Sequence, residues 1–265
     1  MEHKRILTQT PGKTIYAGTK EGEVYHCFTD TYYCPLTQQT VDIPGKGAIS
    51  HRLSTFFFSK LHHLGVPTHF IRTINLRESL MYATETLPFD LRIRCVSSPC
   101  FSKDFGTPEG KIFDSPMVEF IHKDRILSES MIMALEWMDL ADLDQLQTLT
   151  LKIVDYLRGM FMGVGLNLME LTLTMGRGFE DDFFLAGAFS PETFCVKDVE
   201  SGELWSMPFD SPQGQPAWTD ASCAVEKQAF LRHYQTIARR FGIYLGGPRS
   251  SCIIPFPSLA HSRGS

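Results

Sequence analysis

The sequence predicts an α+β fold with a small N-terminal antiparallel sheet domain and a larger C-terminal α+β domain. Short β-type runs broken by glycine and proline fill the first forty residues, and segments with helical or strand periodicity make up the rest. We place the domain boundary at residue 86, which gives domains 1–86 and 87–245. A tail at 246–265 is expected to be poorly ordered or draped over the surface. The cleft between the two domains is the expected place for a small-molecule site.

The N-terminal domain is predicted to combine a small sheet with one helix. A helix is expected over 49–64 because its apolar residues recur on one stripe, and Gly65 and Pro67 end it. Strands are expected at 69–74 and 79–84. The turn-forming residues between the earlier strands are Pro11, Gly12, Gly18 and Gly22.

The C-terminal domain begins with a strand that alternates every second residue. Over 89–96, the apolar side chains at odd positions face one way, whereas Asp90, Arg92 and Arg94 face the other. On this pattern alone, a solvated strand face with a local ion pair is the simpler interpretation.

A long helix and a hairpin are predicted in the remainder of this domain. The helix is expected over about 142–161, where Asp142 and Gln145 have the spacing of a capping box. The other predicted elements are strands at about 166–175 and 183–189, a turn around 176–178, and a last helix at about 225–241.

Composition excludes several classes of function. The 265 residues have a formal net charge of −5, which argues against nucleic acid or an anionic membrane as a partner held by bulk electrostatics. No apolar run approaches the roughly 18 residues that a membrane-spanning helix needs. The seven cysteines are odd in number and contain no C-x-x-C pair, so we expect reduced thiols in a soluble cytoplasmic protein.

A series of short motifs lies in a fixed order along residues 8–243. They are Gly12-Lys13-Thr14-Ile15-Tyr16, Asp30-Thr31, Lys46-Gly47, Gly65-Val66-Pro67-Thr68-His69, Leu87-Pro88 followed by Asp90 and Arg94, Phe189-Ser190-Pro191, and Ile237-Ala238-Arg239-Arg240-Phe241-Gly242. Each motif alone is weak. Together, in this order and spacing, they resemble the family of phosphoribosylaminoimidazole-succinocarboxamide (SAICAR) synthetases.

The resemblance implies a two-domain SAICAR synthetase-like fold that binds ATP in the cleft. It also implies an amide ligase that joins carboxyaminoimidazole ribonucleotide to aspartate, with ATP hydrolysis, in de novo purine biosynthesis. A carboxylate is a poor acyl donor and must first be phosphorylated, which requires magnesium on the ATP phosphates and charged groups around the transferring phosphoryl group. ATP and magnesium are the expected cofactors and small molecules the expected partners, while assembly into a homo-oligomer stays open.

The family motifs also imply roles for individual positions. The implied catalytic residues are Asp90, Glu170 and Asp198, with Asp90 also the expected magnesium ligand. The implied nucleotide-binding residues are Gly12, Lys13, Thr86 and Leu87. The implied substrate-binding residues are Arg94, Ser98, Cys100 and Cys195.

The chain departs from the family pattern at several of these places. The family strand Asp-x-Lys-x-Glu is represented here by Glu170, Thr172 and Thr174, and the family's Asp-Glu loop by Gly187-Ala188. The other departures are Pro11 in place of a lysine, Cys195 in place of an arginine, and Tyr32-Tyr33 in place of a small polar loop. One hypothesis is that the two tyrosines fill space that the nucleotide would otherwise occupy.

These departures lead to one expectation and two alternatives. Because the site has fewer charged groups, ATP should bind weakly, and its binding should depend little on magnesium. The first alternative function is a diverged ligase or phosphotransferase for a substrate without the ribose phosphate. The second is a catalytically inactive relative that keeps the fold and acts as a binding protein.

Overall fold

The computed structural model describes residues 5–34, 39–123, 125–178, 182–205 and 223–244. The predicted tail at 246–265 lies outside these ranges. The strands are β1 (Ile6–Thr10), β2 (Lys13–Ala17), β3 (Glu23–Phe28), β4 (Thr31–Cys34), β5 (Gln39–Asp42), β6 (Phe70–Thr73), β7 (Glu78–Tyr82), β8 (Glu85–Thr86), β9 (Asp90–Val96), β10 (Ile112–His122), β11 (Arg125–Leu127), β12 (Leu166–Leu173), β13 (Met175–Arg177), β14 (Phe183–Leu185), β15 (Phe194–Asp198) and β16 (Leu204–Trp205). The helices are α1 (Lys46–His63), α2 (Pro99–Phe105), α3 (Glu129–Ala134), α4 (Leu140–Met162) and α5 (Cys223–Arg240). Within the described ranges, no helix has both the length and the apolar character needed to cross a membrane.

The N-terminal domain contains an antiparallel sheet with the strand order β1-β2-β3-β7-β6. Helix α1 packs against β3, β6 and β7. It begins after Gly45, and Gly65, with φ of 75°, lies just beyond its end, so the predicted helix and its stop are confirmed. The strands predicted at 69–74 and 79–84 correspond to β6 and β7.

The C-terminal domain is built on a sheet with the order β11-β10-β9-β12-β15-β16. Neighbouring strands are antiparallel, and at its centre Glu170 lies opposite Arg94 and Thr172 opposite Arg92. The odd-numbered residues of β9, such as Leu91, belong to the same hydrophobic core as the apolar stripe of α4. The predicted α+β fold and the alternation along 89–96 are therefore confirmed.

Two local predictions are wrong in detail. Helix α4 is capped by Asp139, whose Oδ1 accepts from the backbone N of Asp142 at 2.8 Å, so the helix begins earlier than the expected capping box. Gly176 lies within β13 and pairs with β14 and β8 rather than forming the turn. Beyond β13, the backbone N of Gly178 donates to the carbonyl O of Asp182 at 2.9 Å.

The hydrophobic core is continuous across the predicted domain boundary at residue 86. The Phe57 ring of α1 lies 5.4 Å from that of Phe161, 4.5 Å from that of Phe189 and 5.0 Å from that of Phe241, measured between ring centroids. Aromatic pairs at such distances stabilise packing beyond the area they bury. The two domains are therefore joined by shared aromatic packing, and the exact boundary stays a prediction.

Candidate active site

The candidate active site lies on the face of the C-terminal sheet that is turned away from the hydrophobic core. Alternation along β9 places Asp90, Arg92 and Arg94 on this face, and the register of β12 adds Glu170 and Thr172 beside them. The predicted placement of Asp90, Arg92 and Arg94 on one face is confirmed. We call this surface the polar face, and its members are Asp90, Arg92, Arg94, Glu119, Glu170, Thr172 and Thr174.

One end of the polar face lies close to Lys13 of the N-terminal domain. Asp90 is half-buried, and its Oδ1 accepts a hydrogen bond from Thr174 Oγ1 at 2.7 Å. Burial raises the pKa of Asp90, while the Thr174 hydrogen bond and the charge of Lys13 offset part of this rise. Burial likewise lowers the pKa of Lys13, and the Asp90 carboxylate opposes that change. The two domains thus bring one cation and one carboxylate together at the predicted cleft.

Two buried histidines, His26 and His69, lie next to Lys13, and the sequence motifs imply no role for either. The ring centroids of His26 and His69 are 5.1 Å apart. Burial, and then the charge of Lys13, lower the pKa of His69 to about 3, and the same two causes lower the pKa of His26 well below its usual value. Both imidazoles are therefore neutral near neutral pH, so Lys13 provides the positive charge of this cluster.

A buried ion pair supports the turn that contains Gly12. Lys46, at the first position of α1, is only 1% exposed and pairs with Glu192. Tyr234 of α5 donates through its hydroxyl to Glu192 Oε1 at 3.2 Å. Gly12 has φ of 84°, and a Cβ there would lie 3.2 Å from Lys46 Nζ. A side chain at this φ would be strained and would require Lys46 Nζ to shift, so glycine suits this close approach.

The aromatic pair Tyr32-Tyr33 is divided between two environments. The Tyr32 ring packs against Phe230 of α5 with centroids 4.8 Å apart, in a small cluster around Ile43. Tyr33 is 42% exposed. Tyr32 therefore packs α5 against the N-terminal domain. The filling of nucleotide space by Tyr32 and Tyr33 stays a hypothesis.

The other two predicted nucleotide positions lie where β8 leads into β9. Thr86 is exposed and lies opposite Gly176 in the β8–β13 register. Leu87 is half-buried, and its backbone N donates to the carbonyl O of Met175 at 2.9 Å. The amide of Leu87 is thus paired within the protein, and the predicted role of both residues is untested.

At the other end of the polar face, two arginines are paired with two carboxylates. Arg94 donates from Nη1 to Glu170 Oε1 at 2.7 Å and from Nε to Glu119 Oε2 at 3.1 Å. Arg92 Nε donates to the same Glu119 oxygen at 2.7 Å. The side chains of Arg94 and Glu170 are only 3% and 1% exposed. This ion-pair network was not foreseen, because Glu119 lies on β10, a strand with no counterpart among the predictions.

The remaining predicted substrate positions have other surroundings. The Ser98 hydroxyl accepts from the backbone N of Phe101 at 3.3 Å and so caps α2. Cys195 is buried opposite Glu170, and burial, followed by the Glu170 charge, raises its pKa and keeps the thiol neutral. A cavity of about 40 Å³ next to Ser98 and Glu170 has room for roughly one water molecule. Cys100 lies in α2, and its side chain is outside the described part of the structure.

Asp198 lies far along the sheet from Asp90. In the β12–β15 register it pairs with Leu166, at the opposite end of β12 from the polar contacts of Asp90. Its carboxylate accepts from the backbone N of Ser201 at 2.7 Å and from Arg240 Nη2 at 2.6 Å. The Ser201 bond and the Arg240 charge lower the pKa of Asp198. This placement gives Asp198 a turn-stabilising role and does not bring it to the other predicted catalytic residues.

The loop that the resemblance links with magnesium offers no carboxylate at Gly187-Ala188. Within the described residues there is no group of three or more histidine, cysteine, aspartate or glutamate side chains that could hold a metal ion. Asp90 is a single carboxylate beside Thr174. Such a site fits a magnesium ion held mainly by ATP phosphates, because Mg²⁺ commonly takes one or two carboxylates plus substrate oxygens. It does not fit an ion held by the protein alone.

Comparisons with known proteins agree with the motifs. A SAICAR synthetase family model matches residues 10–204. The phosphoribosylaminoimidazole-succinocarboxamide synthase of Dinoroseobacter shibae is 34% identical over 211 residues, which cover 77% of this chain and 83% of that protein. The crystal structure of the corresponding synthase from Ehrlichia chaffeensis is similar with a TM-score of 0.78 and 26% identity, over 90% of this chain and 99% of that one. A SAICAR synthetase solved in complex with ADP has a TM-score of 0.77 at 20% identity, over 92% of this chain and 99% of that one.

Proposed function

The chain belongs to the SAICAR synthetase family, and on that premise we propose that it is an ATP-dependent ligase joining carboxyaminoimidazole ribonucleotide to aspartate in purine biosynthesis. The observation that supports this most is the approach of Lys13 to Asp90. Lys13 stands in the nucleotide motif of the N-terminal domain, Asp90 stands in the β9 motif, and each shifts the pKa of the other. Phosphoryl transfer to a carboxylate needs charges of both signs around the reacting groups.

We assign the ATP phosphates to the Gly12 turn and to Lys13. The absence of a side chain at Gly12 lets backbone amides approach a phosphate closely. Because His26 and His69 are neutral, the charge available to the phosphates at this end comes from Lys13. The ADP bound in one structural neighbour supports a nucleotide site in this fold.

Asp90 is the residue that would hold magnesium, together with the ATP phosphates. When bound, the ion would neutralise charge that develops on the transferring phosphoryl group. Since Gly187-Ala188 contributes no carboxylate that could help to hold the ion, the ATP phosphates depend more on Lys13 for positive charge. We therefore expect ATP binding to depend little on magnesium.

We assign the ribonucleotide to the polar face, with Arg94 as the residue that binds its phosphate. The Arg94 guanidinium is oriented by Glu170, so the carboxylate acts first as a positioning group. The net charge of −5 favours small-molecule substrates over nucleic acid, and we place this activity in the cytoplasm.

The test is steady-state product formation from carboxyaminoimidazole ribonucleotide, aspartate and MgATP. We expect product that requires all three substrates, at a turnover below about 1 per second, the lower end of the usual range, because the polar face lacks several charged groups of the family. Lys13→Met should abolish product. Lys20→Met, at an exposed position of the same domain, is the matched control and should leave turnover unchanged.

A non-catalytic relative is the second candidate, and the Gly187-Ala188 loop favours it. This candidate predicts no product and no ADP release above background, although the protein is folded. A turnover well above 1 per second would instead show that the missing carboxylates are dispensable. Product that persists in Lys13→Met would contradict our assignment of the phosphates.

A further inference from the structure

Arg92 supplies a positive charge where the family pattern has a lysine on the neighbouring strand. In the family strand Asp-x-Lys-x-Glu the lysine falls at Thr172, and Thr172 lies directly opposite Arg92 in the β9–β12 register. Directly opposed side chains on one face of an antiparallel pair have Cβ atoms roughly 5 Å apart. Arg92 therefore places a cation at the middle of the polar face, between Asp90 and Arg94, opposite the strand position where the family pattern has its lysine.

Glu119 occupies the position of a bridging anion between the two arginines. Its Oε2 accepts from Arg92 Nε at 2.7 Å and from Arg94 Nε at 3.1 Å. Guanidinium groups bind carboxylate and phosphate oxygens in the same geometry, so an external oxyanion fits the place of this carboxylate. The Glu119 side chain is 16% exposed, so it can move toward solvent when another anion displaces it from the arginines.

We propose that Arg92 is a substrate-binding residue and that Arg92 and Arg94 together hold an oxyanion of the substrate in place of Glu119. The phosphate ester and the imidazole carboxylate of the ribonucleotide share this chemistry. The assignment rests on the proposed function for the identity of the ligand, but the two-arginine site itself does not depend on turnover. It explains how a chain with Cys195 and Thr172 keeps two positive charges for its substrate.

The experiment measures binding by calorimetry to the full chain, without ATP. Ribose 5-phosphate tests the phosphate, imidazole-4-carboxylate tests the carboxylate, and ribose is the uncharged control. Arg92→Met should weaken binding of one charged ligand about tenfold or more, as expected for the loss of a hydrogen bond to a charged group. Arg92→Lys should recover part of the affinity. Arg125→Met, an exposed arginine on edge strand β11, should change nothing.

Glu119→Gln provides an independent arm. Without the competing carboxylate charge, the ligand weakened by Arg92→Met should bind more tightly than it does to the unmodified chain. Equal affinity in the unmodified chain and Arg92→Met for both ligands would overturn the proposal. So would the absence of millimolar binding in both the unmodified chain and Glu119→Gln. Binding that follows these expectations in a protein that forms no product would overturn the proposed function alone.

Discussion

The two ends of the polar face balance their charges in different ways. At the nucleotide end, Lys13 and Asp90 are half-buried, and the Lys13 side chain has no hydrogen-bond or ion-pair partner among the residues that the structure describes. At the opposite end of the polar face, Arg94 and Glu170 are almost fully buried and bind each other directly. The two opposite charges at the first end are close but not joined by a hydrogen bond or ion pair, whereas those at the second are paired directly.

This difference shows how one site can combine readiness for binding with stability of the fold. A buried cation without a direct hydrogen-bond or ion-pair partner lowers stability, because burial disfavours its charge, but its N–H donors stay open to an anionic ligand. A paired arginine adds rigidity, yet any anionic substrate must compete with its carboxylates. Under the proposed assignment, ATP and the second substrate would therefore meet opposite energetic conditions.

Removing one cation from each end tests this difference most directly. Arg94→Met leaves Glu170 buried with an uncompensated charge and should lower the free energy of unfolding by roughly 3–5 kcal/mol. Lys13→Met should cost little stability or none, because the ammonium is disfavoured by burial. Urea denaturation followed by circular dichroism measures both variants. Similar losses in the two variants would show that the ends do not differ as described.

Restoring a carboxylate near Asp90 tests whether the nucleotide end tolerates more charge. Gly187 has φ of 75°, and a Cβ there would lie 2.9 Å from Thr174 Cβ, so Gly187→Asp should lower the free energy of unfolding by roughly 1–2 kcal/mol. Ala188→Glu, at a position of ordinary φ, is the matched control and should cost less than about 0.5 kcal/mol. Ala188→Glu should also increase the magnesium dependence of ATP binding, measured by calorimetry with and without the ion. An unchanged magnesium dependence would argue against a metal position next to this loop.

Lowering the pH should reduce the free energy of unfolding through His69. The pKa of His69 is about 3 in the folded chain and near 6.5 when unfolded, so the unfolded chain binds more protons between these values. Stability therefore falls as pH falls below 6.5, by about 1 kcal/mol between pH 6.5 and 5.5 for this group. Urea midpoints across this range measure the slope. His69→Asn should reduce the slope and leave the contribution of His26, whose pKa is also lowered, whereas His63→Asn, at an exposed position, should retain the full slope. Equal slopes in the two variants would contradict the assignment.

Periodicity made part of this site predictable from sequence. The helical stripe of 49–64 and the alternation of 89–96 are local patterns, and both gave the correct element and the correct face. The register of motifs then named Lys13, Asp90 and Arg94 as candidate site positions, and their roles stay a prediction. Local patterns were sufficient here because each residue's direction is fixed by its own strand or helix.

The pairing of charges could not be predicted in the same way. Arg94 and Glu170 are 76 residues apart in sequence, and their contact depends on the register between β9 and β12. Glu119 was missed because Pro116 and a register shift interrupt the alternation of β10. Asp198 was assigned to catalysis by position alone, and no sequence pattern shows that Arg240 and a turn bind its carboxylate.

The Lys46–Glu192–Tyr234 contact determines when during synthesis the nucleotide turn gains its support. Lys46 and Glu192 are 146 residues apart, and Tyr234 belongs to the last helix of the described chain. Contacts of such separation form late, because a long loop must close before they stabilise anything. The N-terminal sheet is made first on the ribosome, but the Lys46 ammonium beneath Gly12 acquires its carboxylate partner only after Glu192 has emerged, and that carboxylate acquires the Tyr234 hydroxyl only after α5 has emerged. A nascent chain that stops before residue 192 should therefore contain the Gly12 and Lys13 motif and still fail to retain ATP, which pull-down of stalled chains on immobilised nucleotide would measure.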